Sequence, residues 1–134
     1  MRIEFSLFLL ILLTGCASVD TIQTDFNKIN YDDGINGIEA KRIAQKFLLS
    51  LPQSSRYGVS APELDTTIFP AFPQWRDRAW VVGFPGKNLF SMTREFIVAV
   101  DKKTGNILFY EDGYFPGGIP TKMQAFGSEG KSIR

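Results

Sequence analysis

The stretch from Asn36 to Pro52 limits what this chain can become more than any other. Ala40, Ile43, Ala44, Phe47, Leu48 and Leu51 recur at helical spacing, which places all of them on one stripe of an α-helix. Asn36 offers an N-cap, and Glu39, three residues on, reaches back to complete a capping box. Pro52 cannot continue the helix and ends it. Lys41, Arg42, Gln45, Lys46 and Ser50 take the opposite face, read as a solvated surface, with contact to anionic lipid as the alternative for its three basic groups. A helix with one oily stripe cannot bury that stripe alone, so a second layer is required.

The following sequence supplies it. From Arg78 onward, Trp80, Val82 and Phe84 alternate with Ala79, Val81 and Gly83, so the bulky side chains share one face of a strand. Pro85 to Asn88 interrupts the run. Arg94 to Val100 resumes it, with Phe96, Val98 and Val100 on one face. "DKKTGN", Asp101 to Asn106, turns the chain, with Gly105 free to take positive φ, and Ile107 to Tyr110 returns as the second arm of a hairpin. Leu64, Thr66 and Ile68 form a weaker strand stopped by Pro70 and Pro73. The expected fold class is α+β, one amphipathic helix packed on a small antiparallel sheet of three to four strands. This domain is expected over residues 36–112, small enough to bury only about 60% of its unfolded surface. Residues 113–134, opening on the glycines and prolines of "GYFPGGIP", are expected as a loosely ordered tail.

Ahead of the domain, Arg2 precedes an apolar run from Phe5 to Leu13, then the small residues Thr14 and Gly15, then Cys16. That order reads residues 1–15 as an export signal. Its nine residues, apolar but for Ser6, extend only about 14 Å as a helix against a hydrocarbon core of about 30 Å, too short to span. Leu13-Thr14-Gly15-Cys16 resembles the bacterial lipobox. The resemblance implies cleavage between Gly15 and Cys16, acylation of Cys16, and attachment to the cell envelope through two or more chains that together hold a protein stably at a bilayer. With Ala17 next, it implies the outer membrane facing the periplasm in a Gram-negative cell. Glu4, which offsets Arg2, departs from the usual positive start. The alternatives are an ordinary cleaved signal beside a coincidental cysteine, or a core segment holding a buried thiol. Residues 16–35, polar and rich in Asp, Asn and Thr, are expected as a lipidated N-terminus and tether, although Ile22, Phe26 and Ile29 at helical spacing leave a short docked helix open.

Composition removes several function classes. Lys and Arg total 15 against 14 Asp and Glu, and removal of residues 1–15 takes one of each sign, so no basic excess points to nucleic acid. Cys16 is the only cysteine and there is no histidine, which withdraws Ser-His and Cys-His nucleophilic catalysis and ordinary zinc sites. No cofactor, no metal and no catalytic residue is therefore expected. "DDGING" fails as a calcium loop, because counting from Asp32 places Gly34 and Ile43 where oxygen ligands are needed. Carboxylates remain, among them Glu63, Asp65, Asp77, Glu95 and Asp101. A glycosidase needs two of them facing each other across about 5 to 9.5 Å.

The most distinctive stretch is "FPAFPQWRDRAW". Phe69, Phe72, Trp75 and Trp80 crowd among prolines beside Arg76 and Arg78, a composition typical of binding hot spots. Two readings stay open and can coexist: the aromatics cover one end of the core, or they contact a partner.

"GIEAKRIAQKFL", "RAWVVGF" and "REFIVAVDKKTGNILFY" together resemble the PepSY domain and its cystatin-like relatives, and are similar to NTF2-like immunity proteins. Glu39, Ala40, Ile43 and Ala44 carry the helical part; Val100, Asp101, Thr104, Gly105, Ile107 and Leu108 carry the hairpin. The long insertion at residues 52–77 departs from the pattern. The resemblance implies a non-catalytic module that binds or restrains another exported protein, or an immunity lipoprotein that neutralises a toxin. An envelope-polymer hydrolase built on carboxylates is the alternative from another class.

Overall fold

The computed structural model describes residues 18–87 and 94–134. The expected export signal, with Gly15 and Cys16, lies outside the described residues.

Helix α1 spans Ser18–Asn27 and α2 spans Gly37–Leu49. Five strands follow: β1 (Glu63–Leu64), β2 (Ala79–Pro85), β3 (Glu95–Asp101), β4 (Ile107–Tyr114) and β5 (Gln124–Ala125). They form one open antiparallel sheet in the order β1-β2-β3-β4-β5. The α+β class stands, with two α-helices and five strands among the described residues where one helix and three to four strands are expected from sequence.

The α2 capping box forms as its residues dictate. Glu39 N donates to Asn36 Oδ1 at 2.8 Å, and Asn36 N donates to Glu39 Oε1 at 3.1 Å. The stripe residues Ala40, Ile43, Ala44, Phe47 and Leu48 are buried. They pack on Val82, Phe84, Phe96, Val98, Val100 and Ile107, the side chains that alternation assigns to one face of β2, β3 and β4. The register places Val82 opposite Val98 and Phe84 opposite Phe96, so α2 lies over a continuous apolar surface.

The hairpin turn is held by Asp101, whose Oδ1 accepts from Lys103 N at 2.8 Å and Thr104 N at 3.0 Å. Gly105 takes φ +74°, and a Cβ there would stand 2.7 Å from Tyr31 Cε1. Glycine thus answers both the backbone conformation and the ring that lies against it.

Three features depart from the sequence expectation. First, residues 18–27, placed in the tether, are helical: Ile22 and Phe26 are buried, and Arg42 Nε pairs with Asp25 Oδ2 at 3.2 Å while Lys46 Nζ sits 3.7 Å from the Phe26 ring centroid. Part of the polar face of α2 therefore serves as the seat of α1. Second, residues 113–134, read as a loose tail, add β5 and a bridge in which Ile107 and Lys131 exchange backbone hydrogen bonds, both 2.8 Å. Phe126 packs edge-on to Phe47, with centroids 6.2 Å apart. Third, the sheet is covered on both faces. Ile68, Phe69, Val81, Ile97, Ala99, Phe109 and Tyr114 form a second apolar cluster, supplied partly by the segment after β1. A sheet buried on both sides reads as near-continuous apolar strands, and Phe96 to Asp101 is buried at every residue.

Candidate functional site

The proline- and aromatic-rich segment divides between covering the sheet and leaving a groove. Ile68 and Phe69 insert beneath the second sheet face, at 0% and 8% exposure. Pro73 opens a short 3-10 turn through Trp75, which sets the Trp75 ring 5.3 Å from Phe109, edge-on at 63°. Phe72 and Trp75 are half-buried against this cluster. Arg78 is committed to structure: its Nε meets Asp101 Oδ2 at 3.3 Å, its guanidinium lies over Trp75, and it donates to the Ser128 carbonyl. These residues close the second face.

Trp80 lies on the other side of the sheet. Its Nε1 donates to the Ile35 carbonyl at 2.7 Å, and Lys102 Nζ stands 4.6 Å from its ring. Alternation along β2 explains the separation, since Trp80 faces α2 while Ala79 and Val81 face the second cluster.

Between these parts, at the β2 edge, a groove of about 380 Å³ is lined by residues that include Asp65, Phe69, Pro70, Arg76, Trp80 and Lys102. It thus brings together Phe69, Arg76 and Trp80 of the residues singled out from sequence, and leaves Phe72, Trp75 and Arg78 outside its lining. Asp65 and Lys102 join it. Nothing local marks Lys102 as a groove residue, because it belongs to a turn that reaches Trp80 only through the pairing of β2 with β3.

The groove's charge is lopsided. Lys102 Nζ donates to the Arg76 carbonyl at 3.0 Å, and the Arg76 guanidinium sits 6.0 Å from the Phe69 centroid. Neither cation forms an ion pair among the described residues. Asp65 is turned elsewhere: its Oδ1 accepts from Thr67 N at 2.7 Å and Thr67 Oγ1 at 2.6 Å, and its carboxyl shares a hydrogen bond with Glu95.

That carboxyl pair is a second local feature. Glu95 lies across Gly83, where a Cβ would come within 2.6 Å of Glu95 Oε2; only glycine leaves it room. Burial, then the Asp65 hydrogen bond and charge, push the Glu95 carboxyl up to about 9. Burial raises Asp65 as well, but the bonds from Glu95 and Thr67 outweigh it and hold Asp65 below its ordinary value. Glu95 is thus the proton donor of the pair and Asp65 the acceptor. Thr67 Oγ1 continues the network to Tyr114 Oη at 3.1 Å, and Tyr114 Oη donates to the Gly118 carbonyl at 3.1 Å. Two carboxyls in direct hydrogen bond stand closer than the 5 Å or more that glycosidase pairs use, so this pair fastens the segment after β1 to the sheet.

The sheet edge beside the groove is only partly paired, but its residues are covered: Ala79 and Val81 are 1% and 2% exposed. β1 covers only Val82 and Gly83, and Asp65 N adds a last hydrogen bond to the Val81 carbonyl at 2.8 Å. Arg78 accepts from Lys102 N, so the β2 residues whose main chain faces β3 are Arg78, Trp80 and Val82 by antiparallel alternation. Those facing the other way are Ala79, Val81 and Gly83, and β1 places no residue opposite Ala79.

Among the described residues, no group of three or more Asp, Glu, Cys or His is placed to hold a metal, and no helix is long and apolar enough to cross a membrane. Comparison of the chain with known protein families, with curated proteins and with solved structures finds no match.

Proposed function

We propose that the protein is a lipid-anchored component of the bacterial envelope, attached through Cys16, whose α+β body is a PepSY-like, non-catalytic module that binds or restrains another exported protein. The observation that carries this reading is the edge groove. Aromatic side chains meet there with two cations that have no ion-pair partner among the described residues, and such a combination serves recognition more directly than it serves bond-making. The order of one capped helix followed by an antiparallel meander supports the PepSY-like part.

The test has two arms. Mass spectrometry of the processed protein should find Cys16 acylated at the new amino terminus; an unmodified thiol there sinks the anchoring. Crosslinked envelopes from cells making the wild type or Arg76→Glu should yield one exported protein strongly enriched with the former and depleted with the latter. Arg76 is exposed, so its charge can be reversed without disturbing the core. Identical capture by the two would remove the groove as the binding surface.

A further inference from the structure

The start of α1 and the turn after β4 meet at one end of the molecule. Asp25 and Phe26 touch Arg42 and Lys46, while Ile22 shares a shallow cavity with Leu49, Ser54 and Lys87. Helix α1 therefore runs antiparallel to α2 and begins beside the α2 C-terminus. From there a chain of contacts crosses the end of the sheet. Lys87 N donates to the Arg56 carbonyl at 2.9 Å, Gly86 N to the Arg94 carbonyl at 3.1 Å, and Arg94 Nη1 to the Gly113 carbonyl at 3.3 Å. The turn after β4 follows, closed by Gly118 N donating to the Phe115 carbonyl at 2.9 Å and Tyr114 Oη to the Gly118 carbonyl at 3.1 Å. Although held in this way, the turn leaves Phe115 and Ile119 56% and 71% exposed, and Leu49 is exposed at the same end. Apolar side chains grouped on one exposed surface mark a contact site. Lys87 and Arg94 are exposed between that turn and α1, with no ion-pair partner among the described residues. Of the nearby acids, Asp112 is engaged by Tyr57 and Arg56 and Glu111 is buried; Asp20 and Glu63 remain exposed.

Resting on the Cys16 anchoring proposed above, we infer that this end is the face the protein lays on the bilayer, with Phe115 and Ile119 entering the lipid interface and Lys87 and Arg94 set against anionic headgroups. The length of chain before α1 commits the surface to lipid. Only Ala17 separates Cys16 from Ser18, where α1 begins, and two residues reach at most about 7 Å. Helix α1 is itself docked through the buried Ile22 and Phe26, so no loose tether lifts the body away. Acyl chains on Cys16 thus hold this end close to the headgroups. The exposed apolar side chains there suit the interface, and the cations suit lipid phosphate. Acyl chains alone leave the body free to swivel about Cys16; the second contact at Phe115 and Ile119 fixes its orientation. Trp80 and Lys102 lie toward the opposite end of β2 and β3, so the edge groove then points away from the bilayer, where an exported protein can reach it.

The full-length acylated protein is reconstituted with vesicles of phosphatidylcholine and phosphatidylglycerol in equal parts, and its recovery with them on flotation is measured first. With Cys16 acylated, an introduced cysteine is the only free thiol of the chain. A bimane label is attached at Ile119→Cys or, in the β3–β4 turn at the opposite end, at Lys103→Cys; both positions are exposed. Quenching of each label by lipids spin-labelled near the top of the acyl chain is then read. The label at position 119 should lose about half its emission or more, and the label at position 103 almost none, as shallow burial of one face in the interface requires. Combining Lys87→Glu with Arg94→Glu should lower the quenching at position 119 about twofold or more, because the reversed charges repel the anionic surface. Both are exposed, so the reversal leaves the core untouched. Equal quenching at positions 119 and 103, or quenching at 119 that ignores the charge reversal, overturns the docked face, while flotation shows the anchor intact. Failure of the wild type to float refutes the anchoring and the docked face with it.

Discussion

Replacing Glu95 with glutamine should stabilise the protein at neutral pH, contrary to the usual result of altering a partly buried polar residue. In the native state the Glu95 carboxyl titrates at about 9 against an ordinary value of 4.5. Between those values the folded protein keeps a proton that the unfolded chain releases. Because the native state binds more protons, stability falls as pH rises across this window. At pH 7 the full difference would be about 3 kcal/mol at about 1.4 kcal/mol per unit, and solvent screening of a half-exposed carboxyl reduces it to about 1–2 kcal/mol. Asp65 and Asp101 are held below their ordinary values, so their contributions are present above about pH 4 and disappear only as pH falls below it. The raised tyrosines, Tyr31, Tyr57 and Tyr114, start from 10 and lie above the window. Glutamine keeps a donor for Asp65 and the same shape, but cannot ionise. The measurement is thermal unfolding by circular dichroism from pH 5 to pH 9. Wild type should lose stability progressively, and Glu95→Gln should show a flatter profile with a midpoint about 4–8 °C higher at pH 7. A flat wild-type profile, or a glutamine variant no more stable than wild type at pH 7, refutes the proton-sharing assignment.

Other substitutions probe the fold that holds the groove. Phe47→Ala removes a ring that touches Tyr110 at 5.3 Å and Phe126 at 6.2 Å and should destabilise by about 3–5 kcal/mol in urea unfolding, the range for aromatic truncation in a core. Asn36→Ala takes away the α2 cap and should cost about 1 kcal/mol by the same assay, with the loss falling to about a few tenths of a kcal/mol when Gly is used instead. Gly105→Ala meets both a left-handed backbone at φ +74° and the Tyr31 ring, and should lower stability by about 1–3 kcal/mol; a neutral effect would show that the turn rearranges freely. Phe26→Ala should undock α1, read as new protease cleavage between residues 18 and 35 under conditions that leave wild type intact.

What the amino-acid order determines by itself is whatever depends on neighbours within a few residues. Asn36 and Glu39 meet because a helical turn brings positions three apart together, and the Ala40-to-Leu48 stripe follows from the period of the helix. The strand alternation and the Asp101 turn are legible for the same reason, and with them the α+β class. Tertiary structure decides the rest, because long-range pairing sets it. The same Ile22–Phe26 spacing suits a loose tether or a docked helix until Arg42 and Lys46 lie beneath it. Trp75 and Trp80, five positions apart, go to opposite faces of the sheet only once the chain between them turns and β2 is registered on β3. Asp65 and Glu95 come into contact because β1 and β3 flank β2 and position 83 has no side chain to keep them apart. Lys102 reaches the groove only because the β3–β4 turn closes beside Arg78. Local sequence carries no record of such meetings, since their energy arises only when segments distant along the chain share one surface.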